Sequence, residues 1–213
     1  MKRFRFLILL LPLTAVSLQG CIEMAVLGGA GAAALGYQDR RTTGAIVEDE
    51  GIELRAANRV SERFGDKVHT NITSYNRSVL LTGEVSDAKV KAEIEKIVQT
   101  VPNVRSITND LQIAGLSSLT SRASDSGITG RVKARFLDAG KFSALHVKVI
   151  TEASVVYLLG IVTEREANDA VELARTTGGV RKVVKIFEYC KTTDPICAPP
   201  AKPKAEESKK SGS

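Results

Sequence analysis

An internal repeat constrains this chain more than any other feature. VLLTGEV at 79–85 aligns with VYLLGIV at 156–162, with four of seven positions identical and Gly83 falling on Gly160. Downstream, Asn103-Val104-Arg105 faces Gly179-Val180-Arg181, and upstream Asp49-Glu50-Gly51-Ile52 faces Asp125-Ser126-Gly127-Ile128. His69 and His146 also correspond, so their shared position speaks for common ancestry before it speaks for chemistry. Self-similarity at this period means the same supersecondary unit built twice. The expected domains are residues 46–115 and 122–190, joined by a Ser/Thr-rich linker at 116–121. With 43% hydrophobic and 25% charged residues, the chain has enough apolar material for two small cores and too much for a disordered polymer.

Helical and strand periods alternate within each copy. Ile52, Ala56, Val60 and Phe64 recur every four residues, as do Ile128, Val132 and Phe136, which places each set on one face of a first helix. Two β-rich runs follow, 68–74 and 78–85 in the first copy, then 145–151 and 154–162 in the second, with turns at Asn76 and at Ala153-Ser154. A second helix opens at Ser86 and at Thr163, the latter with Glu166 three residues on, which forms a capping box. Last strands at 104–113 and 180–189 complete an α-β-β-α-β order. Three strands cannot bury both faces of a sheet by themselves, so both helices are expected on one face.

The N-terminus reads as an address. Residues 1–20 carry Lys2, Arg3 and Arg5, an apolar run from Phe6 to Val16, and then small and polar residues, the three parts of a secretory signal. The run is too short to remain as a comfortable spanning helix. Leu18-Gln19-Gly20-Cys21 resembles the bacterial lipobox, which implies that Cys21 becomes the lipidated first residue. Ile22 stands where the usual signal for inner-membrane retention has Asp, so the expected location is the outer membrane, lipid-anchored and facing the periplasm. Residues 21–45 then form a Gly/Ala-rich tether, and residues 191–213 a Lys/Pro-rich tail expected to be disordered.

The repeat order, the Gly closing the second strand in V-x-L-x-G-x-V, the V-R-x-V strand and the run IVTEREA at 161–167 together resemble the BON domain, named for bacterial OsmY and nodulation proteins. A lipobox followed by two such units is similar to the dual-BON outer-membrane lipoproteins of Gram-negative bacteria. The resemblance implies an α+β fold of two tandem BON domains, each a three-stranded mixed sheet packed against two helices. It further implies a non-enzymatic protein that binds anionic phospholipid, chiefly through the second domain, and supports outer-membrane integrity.

Charge gives an independent reason to look at the second copy. Residues 46–115 hold nine bases and eleven acids, whereas 122–190 hold eleven bases and eight acids. On the second copy's first helix, Arg131, Lys133 and Arg135 accompany Phe136 and Leu137, with Lys141 and Phe142 in the next loop. A basic, partly apolar helix end can lie at a headgroup layer, with each base near an anionic surface adding about 1 kcal/mol. These seven residues are the expected phospholipid contacts, with Leu137 and Phe142 more exposed than Phe136, which shares the core stripe. Gly127 departs from the family picture, because a bulky aromatic residue there would strengthen insertion.

Other chemistry finds little support. His69 and His146 lie at strand starts with no ligand at metal spacing nearby in sequence, so no metal, cofactor or catalytic residue is expected. Once the first 20 residues are removed, 27 bases face 24 acids, which excludes a nucleic-acid wrapper on composition. With Cys21 lipidated, Cys190 and Cys197 remain, and a short loop containing Pro195 can bring them together in an oxidising compartment. A disulfide is expected there, the alternative being two free or intermolecular thiols. The competing function is a protein-interaction adaptor, in which the acidic first domain or an open sheet edge recruits an envelope protein.

Overall fold

The computed structural model describes residues 39–198, so the expected signal, Cys21 and the end of the tail lie outside the described residues. The first copy runs through α1 (Thr43–Phe64), β1 (His69–Tyr75), β2 (Ser78–Val85), α2 (Ala88–Gln99), β3 (Ser106–Asn109) and β4 (Gln112–Ile113). The second follows as α3 (Leu119–Ala139), β5 (Val147–Glu152), β6 (Val155–Val162), α4 (Glu164–Arg175) and β7 (Lys182–Tyr189). In each copy the hairpin is antiparallel and the last strand joins the second one parallel. The α+β architecture and the α-β-β-α-β order are those the sequence implied.

Local chemistry explains the boundaries. α1 is capped by Thr42, whose side chain accepts from the Ala45 amide. α2 begins later than its sequence signal, because Asp87 rather than Ser86 is the cap and accepts from the Lys89 and Val90 amides. The capping box at Thr163 and Glu166 is formed. The first copy's last strand is split: β3 and β4 both pair with β2, while between them Leu111 turns inward to the core. Positions 145–146 are a short 3-10 turn rather than strand.

Both hairpin turns use non-glycine residues at positive φ: Asn76 and Arg77 at 49° and 66°, Ala153 and Ser154 at 49° and 63°. Such geometry is costly for L-residues unless the surroundings hold it. A buried aspartate on the first helix supplies that hold. Asp49 accepts from the Asn76 and Arg77 amides at 2.7 Å each, and Asp125 accepts from those of Ala153 and Ser154 at 2.9 Å each. Burial pushes the Asp49 carboxyl up, but the Ser74 hydroxyl, the Arg77 and Asn76 amides and Arg41 outweigh it and hold it below the usual range. The Asp-Glu-Gly-Ile and Asp-Ser-Gly-Ile motifs are therefore turn clamps.

Glycine in the second strand answers to close backbone approach. A Cβ on Gly83 would lie 2.0 Å from the His69 carbonyl oxygen, with φ at +114°, and one on Gly160 would lie 2.4 Å from the His146 carbonyl.

Each copy has its own core, Ile52, Val60, Leu81 and Ile94 in one, Ile128, Phe136, Leu158 and Ala170 in the other. A third apolar cluster joins them, with Tyr75 and Leu80 from the first sheet against Tyr157, Leu159 and Ile161 from the second. This resolves the sheet-face problem. The helices cover one face of each sheet, and the other faces cover each other, which is why β2 and β6 are buried along nearly their whole length. Polar contacts rim this seam: the Tyr157 hydroxyl donates to Asp110 at 2.7 Å, Lys148 pairs with Glu53 at 3.1 Å, and Arg105 and Asn76 both bond Glu188.

Candidate membrane-facing site on the second domain

The core stripe of α3, Asp125, Ile128, Val132 and Phe136, fixes the direction of every other residue on it. The predicted contacts consequently divide between two flanks rather than forming one patch. On the flank toward α4, Arg135 donates to the Leu173 carbonyl at 2.8 Å and to the Thr176 and Thr177 hydroxyls, closing the C-terminal end of α4. Arg131 lies beside it and donates to the Gly178 carbonyl at 3.2 Å. A guanidinium at the carbonyl end of a helix is well placed electrostatically.

The opposite flank carries Lys133 and Leu137. Lys133 is exposed and lines a groove that also includes Arg122 and Thr129. Leu137 is 69% exposed. Leu119 is 79% exposed and lies 18 positions earlier, five helical turns, so it shares the direction of Leu137 on the same helix. Leu116 in the linker and Ile113 on β4 are also exposed, as is Leu145 after the C-terminal end of α3. Sequence reasoning passed over Leu116 and Leu119 because the linker read as a polar Ser/Thr stretch.

Phe136 is only 1% exposed and belongs to the core, so it cannot meet a lipid surface without unfolding the domain. Phe142 is half-buried and packs edge-on against Phe136, ring centroids 5.0 Å apart, which makes it a lid on that core. Lys141 is exposed and pairs with Asp169 at 3.1 Å. Cys190 and Cys197 are joined in a disulfide, with Cys197 packed into the apolar seam, so the start of the tail is pinned to the body.

The repeat distinguishes inherited scaffolding from what is particular to α3. Arg59 on α1 donates to Thr100 at the end of α2, as Arg135 does to Thr176 at the end of α4. Arg55 stands where Arg131 does, and Val60 where Phe136 does. Lys133 and Leu137, by contrast, replace Ala57 and Ser61, and Leu119 replaces Thr43.

Two further features were invisible to periodicity. Arg40, at the start of the described residues, reaches Glu166 at 2.6 Å and the Ile161 carbonyl at 2.9 Å. Burial pushes the Glu166 carboxyl up, but Arg40 and the Thr163 amide and hydroxyl overcome this and hold it at about 2. His146 contacts the same carboxylate at 3.2 Å, and its pKa is lowered, by burial first and then by the Arg40 charge. The segment before α1 is thereby strapped to the second domain. Elsewhere, His69, Glu84 and Glu152 place one potential ligand atom each within 4.8 Å of one another. No helix among the described residues is long and apolar enough to cross a membrane.

Comparison with known proteins matches the BON domain model twice, over residues 52–115 and 124–191. The chain belongs to the BON domain family. It is 38% identical to the outer membrane lipoprotein DolP of Haemophilus influenzae over 82% of this chain and 91% of that protein. It is 31% identical to a 21 kDa hemolysin of Actinobacillus pleuropneumoniae over 71% of this chain and 79% of the relative. To the osmotically-inducible protein Y of Escherichia coli it is 31% identical over 54% of this chain and 62% of that one. The two BON matches of this chain cover most of its described residues.

Proposed function

We propose that this BON-domain protein is a non-enzymatic outer-membrane lipoprotein, anchored through Cys21, whose second domain docks on anionic phospholipid and thereby supports the integrity of the envelope. The observation that carries the docking reading is the difference between the two copies. Arg59 and Arg135 close the neighbouring helix in both copies, and both first helices expose apolar side chains, Val47 and Leu54 in one and Leu119 and Leu137 in the other, but only the second sets a lysine, Lys133, on that outward flank, where the first has Ala57. Exposed leucines on a helix flanked by bases combine hydrophobic insertion with attraction to headgroups, the two terms that hold an interfacial helix at a membrane. The lipobox and the likeness to an outer membrane lipoprotein support the location.

Sedimentation of the purified chain with vesicles of phosphatidylglycerol or of phosphatidylcholine tests this reading. Binding is expected to phosphatidylglycerol alone, and to weaken as salt rises, because exposed charges are screened beyond about 10 Å at 0.1 M. Lys133→Glu should reproduce the effect of salt. Leu119→Ser with Leu137→Ser should weaken binding in a way that salt does not mimic, since insertion is not screened. Arg135 is unsuitable for the test, because its loss would uncap α4. Equal binding to both vesicles, or binding unchanged in both variants, would overturn the reading. Indifference to lipid, with specific retention of an envelope protein, would favour the adaptor instead.

A further inference from the structure

We propose that His69, Glu84 and Glu152 form a divalent-cation site of zinc-binding chemistry that pins the two BON domains to each other. His69 and Glu84 are cross-strand partners on β1 and β2, with the imidazole Nδ1 2.8 Å from a Glu84 carboxylate oxygen. Glu152 is the last residue of β5 and arrives from the other domain. Ligands around one zinc ion at about 2.1 Å stand about 3.4 Å apart. The three candidate ligand atoms lie within 4.8 Å of one another, so a shift of about an ångström gathers them around an ion.

The surroundings of the two carboxylates call for a cation. Glu84 and Glu152 are 5% and 6% exposed, and among the described residues neither is within ion-pair distance of a lysine or arginine. A buried charge is ordinarily paired or bound to a metal. His69 can supply one charge between them, and only when protonated. Their remaining hydrogen bonds orient them: Asn71 donates to Glu152 at 2.6 Å and the Ser117 amide to Glu84 at 3.2 Å. Such outer contacts are what aim metal-ligating carboxylates. The groove of about 600 Å³ that Lys133 and Arg122 line also reaches His69 and Glu152 and gives an ion its entry path, past those two bases and the Asp125 carboxylate.

The seam itself does not need these acids. At the position of Glu84 the second copy has Ile161, and at the position of Glu152 the first has Tyr75, and both pack in the apolar cluster between the domains. Apolar side chains thus suit these two positions, and a buried polar cluster that replaces them asks for a ligand. One imidazole and two carboxylates form a mixed N/O set that fits zinc better than calcium or magnesium, which prefer all-oxygen shells.

The test is calorimetric titration of the full chain, purified in mild detergent and stripped with chelator, with Zn²⁺ and separately with Ca²⁺ and Mg²⁺. One Zn²⁺ per chain is expected, with affinity at least tenfold weaker in His69→Gln and in Glu152→Gln and unchanged in His146→Gln. X-ray absorption of the zinc-loaded unsubstituted protein should give a nitrogen/oxygen shell with a single imidazole, a readout that stands even if a variant fails to fold. No Zn²⁺ binding, binding retained in both folded variants, loss in His146→Gln, a preference for Ca²⁺ or Mg²⁺, or a shell with two imidazoles or sulfur would each overturn the proposal. None of these results bears on vesicle binding through α3.

Discussion

Arg40→Met separates the contribution of the strap before α1 from that of the second domain's own capping. The Arg40 and Glu166 side chains are 9% and 8% exposed, so the pair is shielded from solvent and salt. A carboxyl held at about 2 in place of its ordinary 4.5 reflects about 3 kcal/mol of favourable interaction at neutral pH. Thr163 retains its share of that in the variant, because the capping box does not involve Arg40. The expected loss is therefore about 2 kcal/mol at pH 7, with methionine keeping the apolar stem of arginine in place. The pH dependence carries the sign. Glu166 is depressed in the folded state, so its contribution is complete above about pH 4.5 and disappears as pH falls toward 2. Urea unfolding at a series of pH values should show parent and variant far apart at pH 7 and converging below pH 4.5. Removal of the Arg40 charge should also raise the His146 pKa toward its usual value, readable by NMR titration, since that charge is one of the two causes that lower it. A stability gap that stays constant from pH 7 to pH 3, together with an unmoved His146, would refute the electrostatic account and leave only packing.

Gly83→Val and Gly160→Val should each destabilise by several kcal/mol, because the new Cβ would meet a backbone carbonyl at 2.0 Å and 2.4 Å and the neighbouring strand must move; unchanged melting of either protein would contradict that. Replacing Cys190 and Cys197 together by alanine should cost about 2 kcal/mol through the loss of a short loop constraint with a sequence separation of 7, measured as a lower unfolding midpoint. Cys21→Ser should convert the protein from one that resists extraction to one that high salt washes from membranes, because only docking through the second domain would then hold it; retention at high salt would show a second anchor.

The repeat made most of the fold legible. Its two copies gave the same helix, hairpin, helix and strand twice, and independent periodicities agreed in both. What escaped was set by contacts distant in sequence. The mutual covering of the two sheets could not be read from either repeat, although Leu80 and Leu81 in one strand, and Tyr157 and Leu158 in the other, already marked β2 and β6 as apolar on both sides. The strap through Arg40 depends on Glu166, 126 positions away, and Glu152 meets Asn71 across 81 positions. No local spacing rule reaches that far.

The candidate lipid site shows the same division within a single helix. Charge counting correctly singled out the second copy as basic, but counting does not separate a base that closes a neighbouring helix from one that faces solvent. Arg135 is the first kind, and its twin Arg59 does the same in a domain of opposite net charge. Its presence therefore says nothing about lipid. Lys133 has no basic twin, and Leu137 and Leu119 have polar ones, so these three positions changed their chemistry while the scaffold beneath them stayed the same. When one fold is duplicated, residues that serve packing are expected in both copies, and residues free of packing can diverge toward a surface task. On that logic the outward flank of α3, with Leu119, Lys133 and Leu137, is where the proposed lipid contact is placed.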